Sequence, residues 1–248
     1  MKVFIENMGE IEFLSLNSKK WEKEKDLEFI KTIDSEEVRA LLSNKYIESV
    51  LEIKDNEKYV MYECDPKILI NPYRFDIFVK YIYVKSYVEQ NDYEKAKEIY
   101  LDHIRAFNNF KEPDKSKNSS EDFIRDFNEL IDKAKNNEFE SFFVPVSNTG
   151  NIIDGSHRVA IALYFKQILK ISLFDILDAD YSYKFFENKN MNKEFIKYVV
   201  EYMPNIDSRL KEIISKEDIE EKILETGDIY YKEKLNDSYK YIISEYEV

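Results

Sequence analysis

Only 4 of the 248 residues are glycine, and two of those, Gly150 and Gly155, fall within one six-residue stretch. Gly155 is flanked by Asp154, Ser156, His157 and Arg158, which sets one of the chain's two histidines beside one of its six arginines. An apolar run precedes Gly155 and an alanine-rich run follows it, so the pattern predicts a strand passing into a helix. The five side chains then gather at a helix N-terminus. Such an end presents unpaired N–H groups and a positive dipole, a guanidinium can grip phosphate oxygens in pairs, and a residue without Cβ lets the backbone approach a ligand. The chemistry this predicts is an anion site. The same residues also allow a structural reading, with Asp154 as a cap, His157 half-buried and Arg158 in a surface ion pair. Gly150 fits a hairpin turn that needs a positive φ.

Arg74 and Asp76, at i, i+2 spacing in a strongly apolar setting, are candidate contacts to a substrate carboxylate. The alternative is an ion pair between elements, since a buried arginine needs a partner whatever its function. His103 shares a helical stripe with Tyr100 and Ile104, which suits a packed imidazole better than a ligand. Two histidines and one cysteine, widely separated, lack the spacing of a zinc site. Ser156 and His157 are neighbours that cannot face each other on a helix, which argues against a nucleophile and base pair. The 19 tyrosines are spread over every predicted element, as core packing with polar edges requires.

The elements that must position these residues read as follows. With 44% hydrophobic and 15% aromatic residues the chain is too apolar to be disordered, and its length supports one large domain or two small ones. Residues 2–5 and 11–16 predict a hairpin around Gly9, residues 36–42 a short helix, and residues 49–63 a second hairpin, giving a β-rich lobe over 1–64. Helices then take over: one carrying Ile77, Tyr81, Val84 and Val88, and one capped by Asp92 with Ala96, Ile99, Tyr100 and His103 on a stripe. A third opens with a capping-box pattern at Ser119 and Asp122, followed by Phe123, Phe127, Leu130, Ile131 and Ala134. After it come a strand at 142–146, a turn, a strand at 151–154, the helix near Ser156 and a strand at 171–176. Residues beyond 180 predict a polar-aromatic linker and then helices at 193–202, 208–214 and 216–224, and possess no readable chemistry.

Several function classes are excluded or disfavoured at this level. No window is long and uncharged enough for a membrane span. A net charge of −13 with thinly spread lysine argues against sequence-independent nucleic-acid binding. A single cysteine, and no basic stretch leading into an apolar run and a cleavage site, set the expectation of a cytoplasmic protein. Oligomeric state has no sequence signal here.

The stretch from Val144 through Pro145, the Ser147-Asn148-Thr149-Gly150 turn, Ile152, Ile153, Asp154-Gly155-Ser156-His157-Arg158 and the Ala-rich residues beyond resembles the core of the ParB/sulfiredoxin-like superfamily. About 25 residues match closely, and looser similarity extends over residues 104–176. The resemblance implies a small α+β core, here the centre of a segment 65–180, with the 1–64 lobe before it and a helical extension over 181–248. It implies Asp154, Gly155, Ser156, His157 and Arg158 as contacts to nucleotide phosphates, with Asp154 also on Mg²⁺. Family members bind CTP, reduce sulfinic acids or phosphorylate free serine with ATP or ADP. Ser156 stands where a sulfiredoxin needs a reactive cysteine, and a hydroxyl cannot supply thiolate chemistry. The acidic C-terminal helices match a DNA-reading partition protein poorly.

The kinase branch remains. Its acid in the loop before the capped helix matches Glu112, which could take a proton from an acceptor hydroxyl, with His157 as a further catalytic candidate. The expected function is therefore a nucleotide-dependent kinase for a small hydroxylated metabolite such as an amino acid or sugar. The alternatives are a nucleotide-binding or slowly hydrolysing regulatory module and, against the acidic charge, a nuclease.

Overall fold

The computed structural model describes residues 2–5, 9–14, 26–42, 45–71, 74–112, 115–136, 142–176, 178–179 and 181–207. In chain order its elements are β1 (Lys2–Ile5), β2 (Gly9–Leu14), β3 (Glu28–Asp34), α1 (Ser35–Leu41), α2 (Lys45–Leu51), β4 (Lys58–Cys64), α3 (Phe75–Glu89), α4 (Tyr93–Asn108) and α5 (Ser120–Lys135). They continue as β5 (Phe143–Ser147), α6 (Ser156–Phe165), β6 (Leu169–Phe174), β7 (Asp178–Ala179), α7 (Tyr183–Asn188) and α8 (Lys193–Ile206). The class is α+β.

The central sheet has the order β3-β4-β6-β5. Its β3–β4 and β4–β6 pairs are antiparallel, whereas β5 and β6 run parallel and are joined through α6, as a parallel pair requires a crossover. A smaller sheet, β1-β2-β7, sets Val3 opposite Ile11 and Phe13 opposite Ala179.

Strand alternation divides the core between the two faces of the central sheet. Val144, Val146, Leu169 and Ile171 join the main cluster with Phe78, Ile82 and Tyr83 of α3, Tyr100 of α4, Phe127 of α5 and Ile161 of α6. Phe143, Met61 and Phe174 point the other way and pack with Val38 of α1 and Ile47 and Leu51 of α2. Helices α3 and α6 lie side by side on the first face, and their N-terminal ends meet at the sequence singled out above.

The predicted hairpin at residues 2–5 and 11–16 is present, with Gly9 inside β2. The hairpin predicted over 49–63 is not. Residues Lys45–Leu51 form α2, whose Ile47 and Leu51 at i, i+4 seal the second face, and β4 pairs with β3. Because β4 also pairs with β6, residues 28–34 and 58–64 share a sheet with residues 143–174. The predicted strand at 151–154 is reduced to a bridge between Val146 and Ile152, with Ile153 N–H donating to Pro145 O at 2.9 Å. Gly150, at φ +86°, makes the turn. Asp92 holds the N-cap position of α4 in left-handed backbone, and its side chain makes no capping bond. Residues read as linker beyond 180 form α7. The helices expected at 208–214 and 216–224 lie outside the described residues. Among those described, no helix is long and apolar enough to cross a membrane.

Candidate functional site

Helix α6 opens on Gly155 at φ +92°, with no side-chain cap and no acidic residue in its first turn. A Cβ there would stand 2.8 Å from Arg158 Nε and 2.9 Å from its Nη2, so only glycine leaves room for the guanidinium folded back over the helix start. Arg158 Nη2 donates to Asp154 Oδ2 at 2.7 Å, and the Asp154 side chain keeps 27% exposure. The two charged members of the loop thus grip each other across Gly155, at the positive end of a ten-residue helix.

Behind the loop lies a chain of buried ions. Arg74, Asp76 and Lys80, on the first turns of α3, are 4%, 3% and 5% exposed. Arg74 meets Asp76 in a two-pronged pair, Nε to Oδ1 at 2.9 Å and Nη2 to Oδ2 at 2.8 Å, and its Nη1 donates to the carbonyl of Ile152. Lys80 Nζ donates to Asp76 Oδ2 at 2.9 Å and to Ser156 Oγ, the first residue of α6. Burial alone would raise the Asp76 carboxyl, but Arg74 and Lys80 hold it well below the usual carboxylate range. Burial lowers Lys80 from its ordinary value against the pull of Asp76, with which it forms a buried ion pair at 2.9 Å. Three buried ions therefore sum to one positive charge beside the start of α6.

A third group of residues joins α4 and the loop after it to α6. Tyr100 Oη and His157 Nε2 are hydrogen-bonded at 2.9 Å, and the imidazole stands edge-on to Phe127 with ring centres 4.4 Å apart. Burial, then Lys80 and Lys117, press His157 well below the ordinary histidine value, so it is neutral. Burial and then Glu112 raise Tyr100. Glu112 also pulls Lys80 upward, a smaller effect than that of Asp76. It faces Lys117 at 3.7 Å, and its backbone N–H donates to Lys117 O at 3.1 Å. His103 is wholly buried beneath, neutral through burial and the field of Lys80, and neither of its ring nitrogens has a hydrogen-bond partner among the described residues.

The structure brings together most of what the sequence singled out. Asp154, Gly155, Ser156, His157 and Arg158 form one loop, and Arg74 and Asp76 reach it through Ile152 and Lys80. Glu112 stands within the electrostatic reach of Lys80 and Tyr100. The guanidinium and carboxylate of Arg74 and Asp76 face each other, as in the ion-pair alternative. Sequence reasoning missed Lys80, Tyr100 and Lys117. The one available signal was a lysine four residues after an aspartate inside an otherwise apolar helix.

One loop residue could meet a metal ion. Asp154 offers one partly exposed carboxylate, and Mg²⁺ is commonly held by one or two carboxylates plus substrate phosphates, with its remaining positions filled by water. Among the described residues no cluster of three His, Cys, Asp or Glu side chains forms a protein cage for a metal. No protein-family model matches the chain, and no curated protein or solved structure matches it.

Proposed function

We propose that the chain binds a nucleotide by its phosphates at the start of α6 and transfers a phosphoryl group to a small hydroxylated acceptor. The observation that supports this most is the opening of α6: a helix end without its own side-chain cap, built on a glycine that admits Arg158, with a buried lysine bonded to its first hydroxyl. Backbone N–H groups and Arg158 contact the phosphate oxygens, and the resemblance to nucleotide-binding relatives points to ATP or ADP, with CTP as a further candidate. Asp154 would hold Mg²⁺, which would supply positive charge against the transferring group. Neutral His157, tied to Tyr100 and packed on Phe127, fixes the first turn of α6 against α4 and α5. Arg74 and Asp76 hold the loop through Ile152 and Lys80.

Glu112 takes the proton of the acceptor hydroxyl as the new O–P bond forms and the bond from that phosphorus to the nucleotide breaks. Catalysis by positioning and charge is what phosphoryl transfer needs. The test is nucleotide consumption with and without hydroxylated acceptors, in wild type and Glu112→Gln. Consumption should depend on the acceptor, and the variant should lose about 10²- to 10⁴-fold in turnover while its nucleotide affinity is kept. Full turnover by Glu112→Gln would contradict the assignment of the base.

A further inference from the structure

Lys80 is a buried ion to which phosphate binding as described above assigns no effect on the ligand itself. It lies in the core-facing run of α3, where its neighbours Val79, Ile82, Tyr83 and Val84 are all apolar or aromatic and buried. An ammonium at such a position is costly unless its protons and charge are answered. Asp76 answers the charge, but Asp76 already has both oxygens on Arg74, so the trio is left with a surplus positive charge. The second bond of Lys80 goes to Ser156 Oγ, 76 positions later in the chain.

The direction of that bond decides what Ser156 can do. Lysine has protons and no lone pair, so the serine oxygen must accept, and the hydroxyl's own proton must point elsewhere. Ser156 is 7% exposed, and its proton has no acceptor among the described residues. Of the nearby carboxylates, Asp154 pairs with Arg158 and Glu112 faces Lys117. The Nε2 of the nearby His157 is engaged with Tyr100.

We propose that Lys80 is a positioning residue that makes Ser156 an obligate donor, turning its hydroxyl proton to an acceptor-only anionic oxygen of the ligand. Arg74 and Asp76 hold the ammonium in place for this. The site then prefers a fully ionised phosphate oxygen over a hydroxyl or amide of the same size. This rests on the reading of the α6 start as a phosphate site.

A double-mutant cycle tests it, with ADP binding measured by calorimetry on wild type, Ser156→Ala, Lys80→Met and the double variant. Each single change should weaken ADP binding about 10- to 100-fold, the value of a hydrogen bond to a charged group. The double variant should be no weaker than the worse single one, because Lys80 acts only through the Ser156 hydroxyl. Losses that multiply in the double variant, or Lys80→Met binding as wild type does, would overturn the proposal while leaving the phosphate site standing. Absence of binding by wild type would instead sink the phosphate reading itself. A measurement on the unmodified chain guards against a misfolded Lys80→Met. Its lysine ¹⁵Nζ spectrum should hold one signal missing from Lys80→Arg, and ADP should shift it. A signal that stays put while the amides of residues 155–158 move would overturn the proposal equally.

Discussion

Helices α5 and α6 begin in opposite ways. α5 is closed by its own sequence: Ser119 Oγ accepts from Asp122 N–H at 3.2 Å, Glu121 and Asp122 supply negative charge to the first turn, and Lys133 and Lys135 stand in the last. α6 has none of these devices. Its opening residue is a glycine in left-handed backbone, its first turn carries Arg158, and what organises it comes from α3 and α4. A helix end that satisfies itself is structural. One that is left open, and held in shape by ions buried behind it, leaves its N–H groups for a partner from outside, which is what the proposed phosphate site uses.

The sharpest way to break that contrast is to remove the remote support. Asp76→Ala leaves two buried cations without their carboxylate, and should cost about 3–5 kcal/mol in a denaturant melt. A comparable removal on the α5 side has no such remote partner to lose. A cost within error of a surface substitution would mean that the ions do not hold α6 in place.

Acid should reveal the same asymmetry. His103 and His157 are both pressed well below the ordinary value of 6.5, so the fold keeps them neutral while the unfolded chain takes up protons. Their share of the stability is complete above that value and is lost as the pH falls. The limiting slope is about 1.4 kcal/mol per pH unit for each, or about 2.7 for the two. His103→Gln should reduce this excess slope as the pH falls below 6.5, and an unchanged slope would contradict the neutral imidazoles.

Gly155→Ala forces a side chain into positive φ and against the Arg158 guanidinium. We expect a loss of about 1–2 kcal/mol in stability together with weakened nucleotide binding. Ser119→Ala should cost about 1 kcal/mol with no effect on binding. If the α5 variant weakened binding as much as the α6 variant did, the distinction between a closed and an open helix end would fail.

The parts that were legible in the sequence are those with local causes. The capping pattern at Ser119, the stripe of Ala96, Ile99, Tyr100 and His103, and the opening of a helix just after Gly155 each depend on residues a few positions apart. α2 was misread because Val50 and the following Ile53 have strand propensity, and the packing of Ile47 and Leu51 against the second face makes residues 45–51 helical. β3 escaped notice because most of its residues are exposed, and an edge strand with little buried pattern has no alternation to read. The bonds from Lys80 to Ser156 and from Tyr100 to His157 span 76 and 57 positions, and no local pattern announces them.

Calorimetry of ATP, ADP, CTP and GTP against wild type and Arg158→Ala, with and without Mg²⁺, tests the central claim most directly. The account predicts saturable binding of at least one nucleotide that Arg158→Ala abolishes in a chain that still melts cooperatively. No binding by wild type, or equal binding by the variant, would show that the opening of α6 is structural and would contradict the phosphate site.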